Sequence, residues 1–224
     1  MGDVVGSLLP VALGVAISPL PIIAVILMLL TPRGRAASVA FLLGWGVGIA
    51  LLVLAVALLV DPVDSSTSSD PTTLASTLKL LLGVVALCLA LAQWRRRPRP
   101  GADATLPKWM AAIDTMTAGK ACGLGVALVV ANPKNLTLCL TAGVIIGSGG
   151  LTSGQSFAAV GAFVVISSCS VAVPTVGNLI AADRLRGGLD ELRIWLTAHN
   201  SAVMTVILLV IGGHTIGQAV AGFA

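Results

Sequence analysis

The segment Asn132-Pro133-Lys134-Asn135 sets a cation, two amides and a helix breaker in the middle of an apolar stretch, residues 119–147, that contains no acidic residue. A charged side chain at the centre of a bilayer costs roughly 2.5 to 3.5 kcal/mol on insertion scales, and such groups face a bundle interior or a water-filled cavity. With no carboxylate at its depth, Lys134 must find carbonyls freed by Pro133, polar side chains, water or an anion. Two chemistries follow. The lysine receives the phosphate, sulfate or carboxylate of a substrate, or it releases its proton during a working cycle. The plainer alternative is a lysine held by carbonyls for structure alone. Asn132 and Asn135 carry donors and acceptors that suit either a ligand or broken backbone.

A second breaker, Ser18-Pro19-Leu20-Pro21, interrupts the apolar stretch 4–30 near its middle. Proline deletes an amide donor and clashes with the carbonyl one turn back, so both stretches are expected to kink or unwind. Aligning Pro19 with Pro133 also aligns Ser18 with Asn132. Paired interruptions at matching depth point to a polar site at the midplane. Its substrate-binding candidates from residue chemistry are Lys134, Asn132 and Asn135; a pair of simple kinks is the competing reading. His214 is a candidate proton carrier or a residue satisfied by a neighbouring helix. Ser167, Ser168 and Ser170, followed by Pro174, are candidates to line a cavity, although serines also bond back to their own helix.

These residues must be carried by membrane helices. The 224 residues are 57% hydrophobic and only 10% charged, against roughly 25% charged in soluble domains. Six apolar stretches, residues 4–30, 36–60, 74–94, 119–147, 152–180 and 198–223, meet or exceed the about 20 residues that a membrane helix needs. Asp3 is the only early charge, so the first stretch is expected to be retained rather than cleaved as a signal. Of the 13 lysines and arginines, all but Lys79 and Lys134 fall in or beside three connections, at 31–35, 95–117 and 181–197, whereas 61–73 carries Asp61, Asp64 and Asp70. The positive-inside rule then places both termini outside and the basic connections in the cytoplasm. Net charge of +4 is thereby assigned to loops and not to nucleic-acid binding.

The basic run Arg95-Arg96-Arg97-Pro98-Arg99 marks a cytoplasmic linker, residues 95–118, between two three-helix halves, 1–94 and 119–224. An odd number of spans per half makes the halves inverted repeats. The fold class expected is an all-α integral membrane protein of six transmembrane helices, the first helix of each repeat broken at midplane. In the linker, Trp109, Met110, Ile113 and Met116 would face lipid from a short interfacial helix. Cys88, Cys122, Cys139 and Cys169 show no metal spacing and are expected as small buried hydrophobes. Gly44, Gly46 and Gly48, and the pair Gly213 and Gly217, are expected at close helix contacts, which would also suit a homodimer. No nucleophile elbow, P-loop or HExxH is present, so neither an enzyme, a cofactor nor a metal is expected. A proton gradient is the default energy source.

The stretch Leu9-Pro10-Val11-Ala12-Leu13-Gly14-Val15-Ala16-Ile17-Ser18-Pro19-Leu20-Pro21, with Arg33-Gly34-Arg35-Ala36 and Phe41-Leu42-Leu43-Gly44-Trp45, resembles the actinobacterial GAP family. These are glycolipid or peptidoglycolipid addressing proteins, including sulfolipid-addressing ones. The three-plus-three spans and the Asn-Pro-Lys core are similar to the wider lysine exporter superfamily. The resemblance implies a multi-pass inner (plasma) membrane protein that exports glycolipid to the cell envelope, and by analogy with the superfamily it implies substrate-binding residues Ser18, Pro19 and Pro21 with Asn132, Pro133, Lys134 and Asn135. Its partners would be membrane lipids, and a larger lipid exporter if the chain acts as a non-transporting subunit. Export of a small polar solute, an amino acid or a cation, is the alternative implied by the superfamily. A lateral portal wide enough for an acyl tail would favour lipid. The superfamily's thiol-disulfide branch carries membrane cysteines in the first span of each half; the first span here has none, which argues against electron transfer.

Overall fold

The computed structural model describes residues 2–31, 34–66, 71–95, 113 and 116–222, with only the backbone for 61–66, 71–75 and 181–186. Seven helices and no strand occur among them: α1 (Gly2–Ala16), α2 (Pro19–Leu29), α3 (Gly34–Ser66), α4 (Pro71–Arg95), α5 (Ala118–Ala131), α6 (Pro133–Gly147) and α7 (Ser153–Ala221). Helix is the form that lets each apolar segment satisfy its own backbone in hydrocarbon. Four stretches, Gly34–Val60, Ser76–Arg95, Ser153–Ile180 and Gly187–Ala221, are long and apolar enough to cross a membrane. The pairs α1–α2 and α5–α6 bend by 49° and 76° at their breaks, giving up to six crossings if each pair is one span. Large apolar residues face outward: Leu43, Val47, Leu51 and Leu58 on α3 are all more than half exposed.

Glycines set the packing, because helices in lipid gain most where small residues let backbones approach. A Cβ on Gly44 would lie 2.0 Å from the Cys122 carbonyl oxygen, and one on Gly48 3.2 Å from the Val126 Cα. Further along, Gly143 meets Val53 and Val56, and Gly147 meets Ala57 and Val60. The bent pair α5–α6 therefore runs beside α3 in the same direction. By the same reasoning α4 and the end of α7 are antiparallel, since Gly83 meets Ile216, Gly212 meets Leu87 and Gly222 meets Ser76. Val4 touches Gly149 while Leu138 approaches Gly14, so α1 opposes α6. Val4, Gly149, Val60, Ser76 and Gly222 thus gather at one end of the bundle, which places the first and last described residues on the same side.

The last helix departs from expectation. Residues 181–197 were expected as a loop but are helical within α7. Ala, Leu, Arg and Glu are strong helix formers, and no proline interrupts that stretch. Arg193 pairs with Asp190 at 2.7 Å, and Trp195 stacks on His199 with ring centres 4.8 Å apart. A straight helix would set Ser170 and Ile207 about 55 Å apart. Both nevertheless reach the end of α1, at Ala16 and Gly14 respectively, so the path of α7 reverses between them.

Three smaller corrections concern the cysteines, the glycines and the linker. Cys88 and Cys169 are exposed and only Cys139 is fully buried, because an apolar thiol is no less stable against hydrocarbon. Gly213 and Gly217 are exposed with nothing within 4 Å; Gly212 makes the close contact in their place. Gly46 likewise meets only Val164, at 3.7 Å. In the linker, Ile113 is 2% exposed inside the main core with Met116 packed beside it, so both turn into the protein and not toward lipid. Trp109, Met110 and the basic run beyond Arg95 lie outside the described residues.

Candidate functional site

A helix ends with carbonyls that lack intrahelical donors, and prolines just beyond the end enlarge that set. At the end of α1, Pro19 and Pro21 have no N–H to offer Val15 and Ile17. The Ser18 N–H turns to Val15 O, 3.1 Å away, which releases Gly14 O. Two side chains from the other half of the chain take up the loose end. Lys134 Nζ donates to Gly14 O at 2.6 Å, and Ser170 Oγ donates to Ala16 O. The lysine is 1% exposed. Its head sits at the C-terminal, negative end of the α1 dipole, where a cation is favoured.

Lys134 reaches α1 because of where it stands on α6. It occupies the first turn after Asn132, and Cα–Cβ bonds tilt toward a helix N-terminus, so its side chain extends off the end of α6. Of the partners expected for it, Lys134 takes a backbone carbonyl, but one from the first break and not from the one beside Pro133. The start of a helix presents N–H groups; carbonyls collect at the end of one. Gly14 is thus a site residue that sequence reasoning missed. Its signal was present, since it lies one turn before Ser18 and Pro19.

The two breaks share a backbone geometry. Ser18 has φ −89° and ψ 111°, Asn132 has φ −88° and ψ 107°, and each precedes the proline that opens the next helix. A residue before proline is pushed into this extended region. The side chains then differ. Asn132 Oδ1 accepts from Lys134 N at 3.1 Å and its carbonyl accepts from Leu136 N at 2.9 Å, whereas Ser18 makes no side-chain cap.

Around this junction lie buried polar atoms with no hydrogen-bond partner among the described residues: Ser18 Oγ, Asn132 Nδ2, both amide atoms of Asn135, and the hydroxyls of Ser167 and Ser168. Each such group costs about 1–3 kcal/mol. Ser18, Asn132 and Asn135 belong to the breaks themselves, and Ser167 and Ser168 stand within a turn of Ser170. The structure therefore brings together Lys134, Asn132, Asn135, Ser18, Ser170 and, by helical adjacency, Ser167. Pro19 and Pro21 are buried there, while Pro133 is exposed. His214 is not part of this group: it is exposed on α7, its Nε2 3.1 Å from Gln218 Nε2.

Ser170→Ala removes the hydroxyl that caps Ala16 and leaves that carbonyl unpaired. We expect a loss of about 1 kcal/mol in stability, read as a lowered unfolding temperature in detergent. An unchanged temperature would show that the cap carries no weight.

Apolar outer faces, two broken helix pairs and a buried amine joining them define a multi-pass α-helical membrane protein with a polar centre. Over residues 8–221 the chain matches the family described as Sap, sulfolipid-1-addressing protein (SfLAP), and it belongs to that family. The match takes in both breaks and bears out the family resemblance carried by residues 9–21, 33–36 and 41–45. No curated protein and no solved structure matches the chain.

Proposed function

We propose that this protein takes part in moving a glycolipid or related amphipathic lipid toward the cell envelope by alternating access around Lys134. The observation that carries the reading is the Lys134 Nζ to Gly14 O bond, which ties the break of one half to the break of the other. An anionic headgroup arriving at the ammonium competes with the Gly14 carbonyl. The anion carries a full negative charge where the Gly14 carbonyl carries only a partial one, and in a site shielded from water that Coulomb difference favours the anion, which displaces the carbonyl and frees the end of α1. The two halves, 1–94 and 119–224, then rock about the site as inverted three-helix repeats. The matching dihedrals at Ser18 and Asn132 and the opposed courses of α1 and α6 support that symmetry. The lipid nature of the cargo rests on the family.

The test is deletion of the gene followed by comparison of surface-extractable with cell-retained lipid. A lipid that builds up inside and is lost from the surface is the expected result. An unchanged distribution with altered efflux of an amino acid or cation would replace the lipid reading. Purified protein that moves no lipid in liposomes, where loss of a larger exporter reproduces the deletion, would make the chain a partner subunit.

A further inference from the structure

A groove of about 410 Å³ lies between α3 and α4 with α6 as its floor. Its walls are Val and Leu only, among them Val56 and Val60 on α3, Leu78 and Leu82 on α4, and Leu140 and Val144 on α6. Leu59 and Leu81 form its rim and are 71% and 58% exposed, so the groove opens sideways between two helices that follow each other in the chain. All of these residues lie in the apolar stretches long enough to cross a membrane or in the α5–α6 pair. Hydrocarbon is what surrounds the opening.

We infer that this groove holds one acyl chain of the lipid the protein handles. Two features select that occupant. Among the described residues the lining offers no hydrogen-bonding group, which excludes a headgroup. Leu78, Leu82 and Val85 stand at i, i+4 and i+7, forming a straight wall about 10 Å long that parallels the helix axis, the direction in which acyl chains lie. The groove also starts at the level of Ser76, at the end of the bundle that holds the first and last described residues. A lipid whose tail lies in it carries its headgroup at that surface. Lys134 lies deeper, about 9 Å along α6 from Leu140. The headgroup station and the tail station are therefore separate: a lipid leaving Lys134 for that leaflet keeps its tail against α6 until release. This assignment rests on the lipid reading above.

The purified full-length protein is reconstituted in phospholipid vesicles doped with a phospholipid carrying a diazirine on one acyl chain, illuminated, and the labelled residues are mapped. The expected labels concentrate several-fold on 56–60, 78–85 and 140–144 over the lipid-facing Val165, Val173 and Val210. Leu82→Trp fills the groove and removes the labels on Leu140 and Val144, with Val144→Phe as a second filling variant should the first fold poorly. Both variants lower lipid export. Labels no denser in the groove than on Val165 and Val210, or labels unmoved by both folded variants, would overturn the assignment. Lys134→Ala separates the two readings: full lipid export in that variant with groove labelling intact overturns the site at Lys134 and leaves the groove standing.

Discussion

Lys134→Ala is expected to lower lipid export by about 10- to 100-fold while the protein reaches its normal level in the membrane. That range is the loss of one charge-assisted hydrogen bond of about 1.5–3 kcal/mol, converted at about 1.4 kcal/mol per tenfold. Alanine removes both the group that meets the anion and the donor to Gly14 O, 2.6 Å away, and leaves that carbonyl unpaired in a buried place. Lys134→Arg keeps the charge but carries a planar fork in place of a compact ammonium. It must fit that fork into a space where lysine is 1% exposed, so partial export is expected. Export is measured as surface-extractable lipid, with membrane abundance from an epitope tag. Full export in both variants would sink the site, and loss of the protein from the membrane in both would make the lysine a structural cap. The two roles also separate in the purified protein. A structural cap lowers the unfolding temperature without changing the response to added anionic lipid, whereas a binding residue abolishes stabilisation by that lipid.

Gly44→Val is expected to give the largest loss of stability among single changes at the helix contacts. The added Cβ would stand 2.0 Å from the Cys122 carbonyl oxygen, 2.7 Å from its carbon and 2.9 Å from its Cα. All three are backbone atoms, so no side chain can rotate aside, and α3 and α5 must separate. Overpacking that leaves room to adjust costs about 1–3 kcal/mol, and a clash with fixed backbone sits at or above the top of that range. The control is Gly213→Ala, where nothing lies within 4 Å. There alanine replaces glycine in a helix interior and gains up to about 1 kcal/mol of propensity. Thermal unfolding of the two variants in one detergent, followed by helical circular dichroism, gives the comparison. A Gly44→Val protein as stable as the parent would show that α3 and α5 do not pack as described.

Both expectations depend on pairings that no local pattern displays. Gly44 and Gly213 are each part of a small-residue spacing, and periodicity treats them alike. They differ in what lies opposite: the Cys122 backbone for one, open surface for the other. The course of α7 is similar. Its helical propensity through 181–197 is legible in the residues, but the positive charges there also read as a connection between spans, and charge patterns say nothing about whether a connection is coiled or helical. Burial of the cysteines is not legible either, because an apolar run has no preferred inside when both sides of the helix are oily, and Cys88 and Cys169 face outward.

What the sequence determined by itself is the class, the family resemblance and the two breaks. Those follow from local chemistry: too little charge for a water-facing surface, prolines set beside small polar residues that disrupt a span, and a lysine deep in a stretch without acidic residues. What only the tertiary structure decided is who answers whom across 120 residues. Lys134 caps Gly14 and Ser170 caps Ala16, while His214 turns away from the bundle. A freed carbonyl accepts from any donor that comes within about 3 Å, and which donor arrives is set by the packing of α1 against α6 and α7.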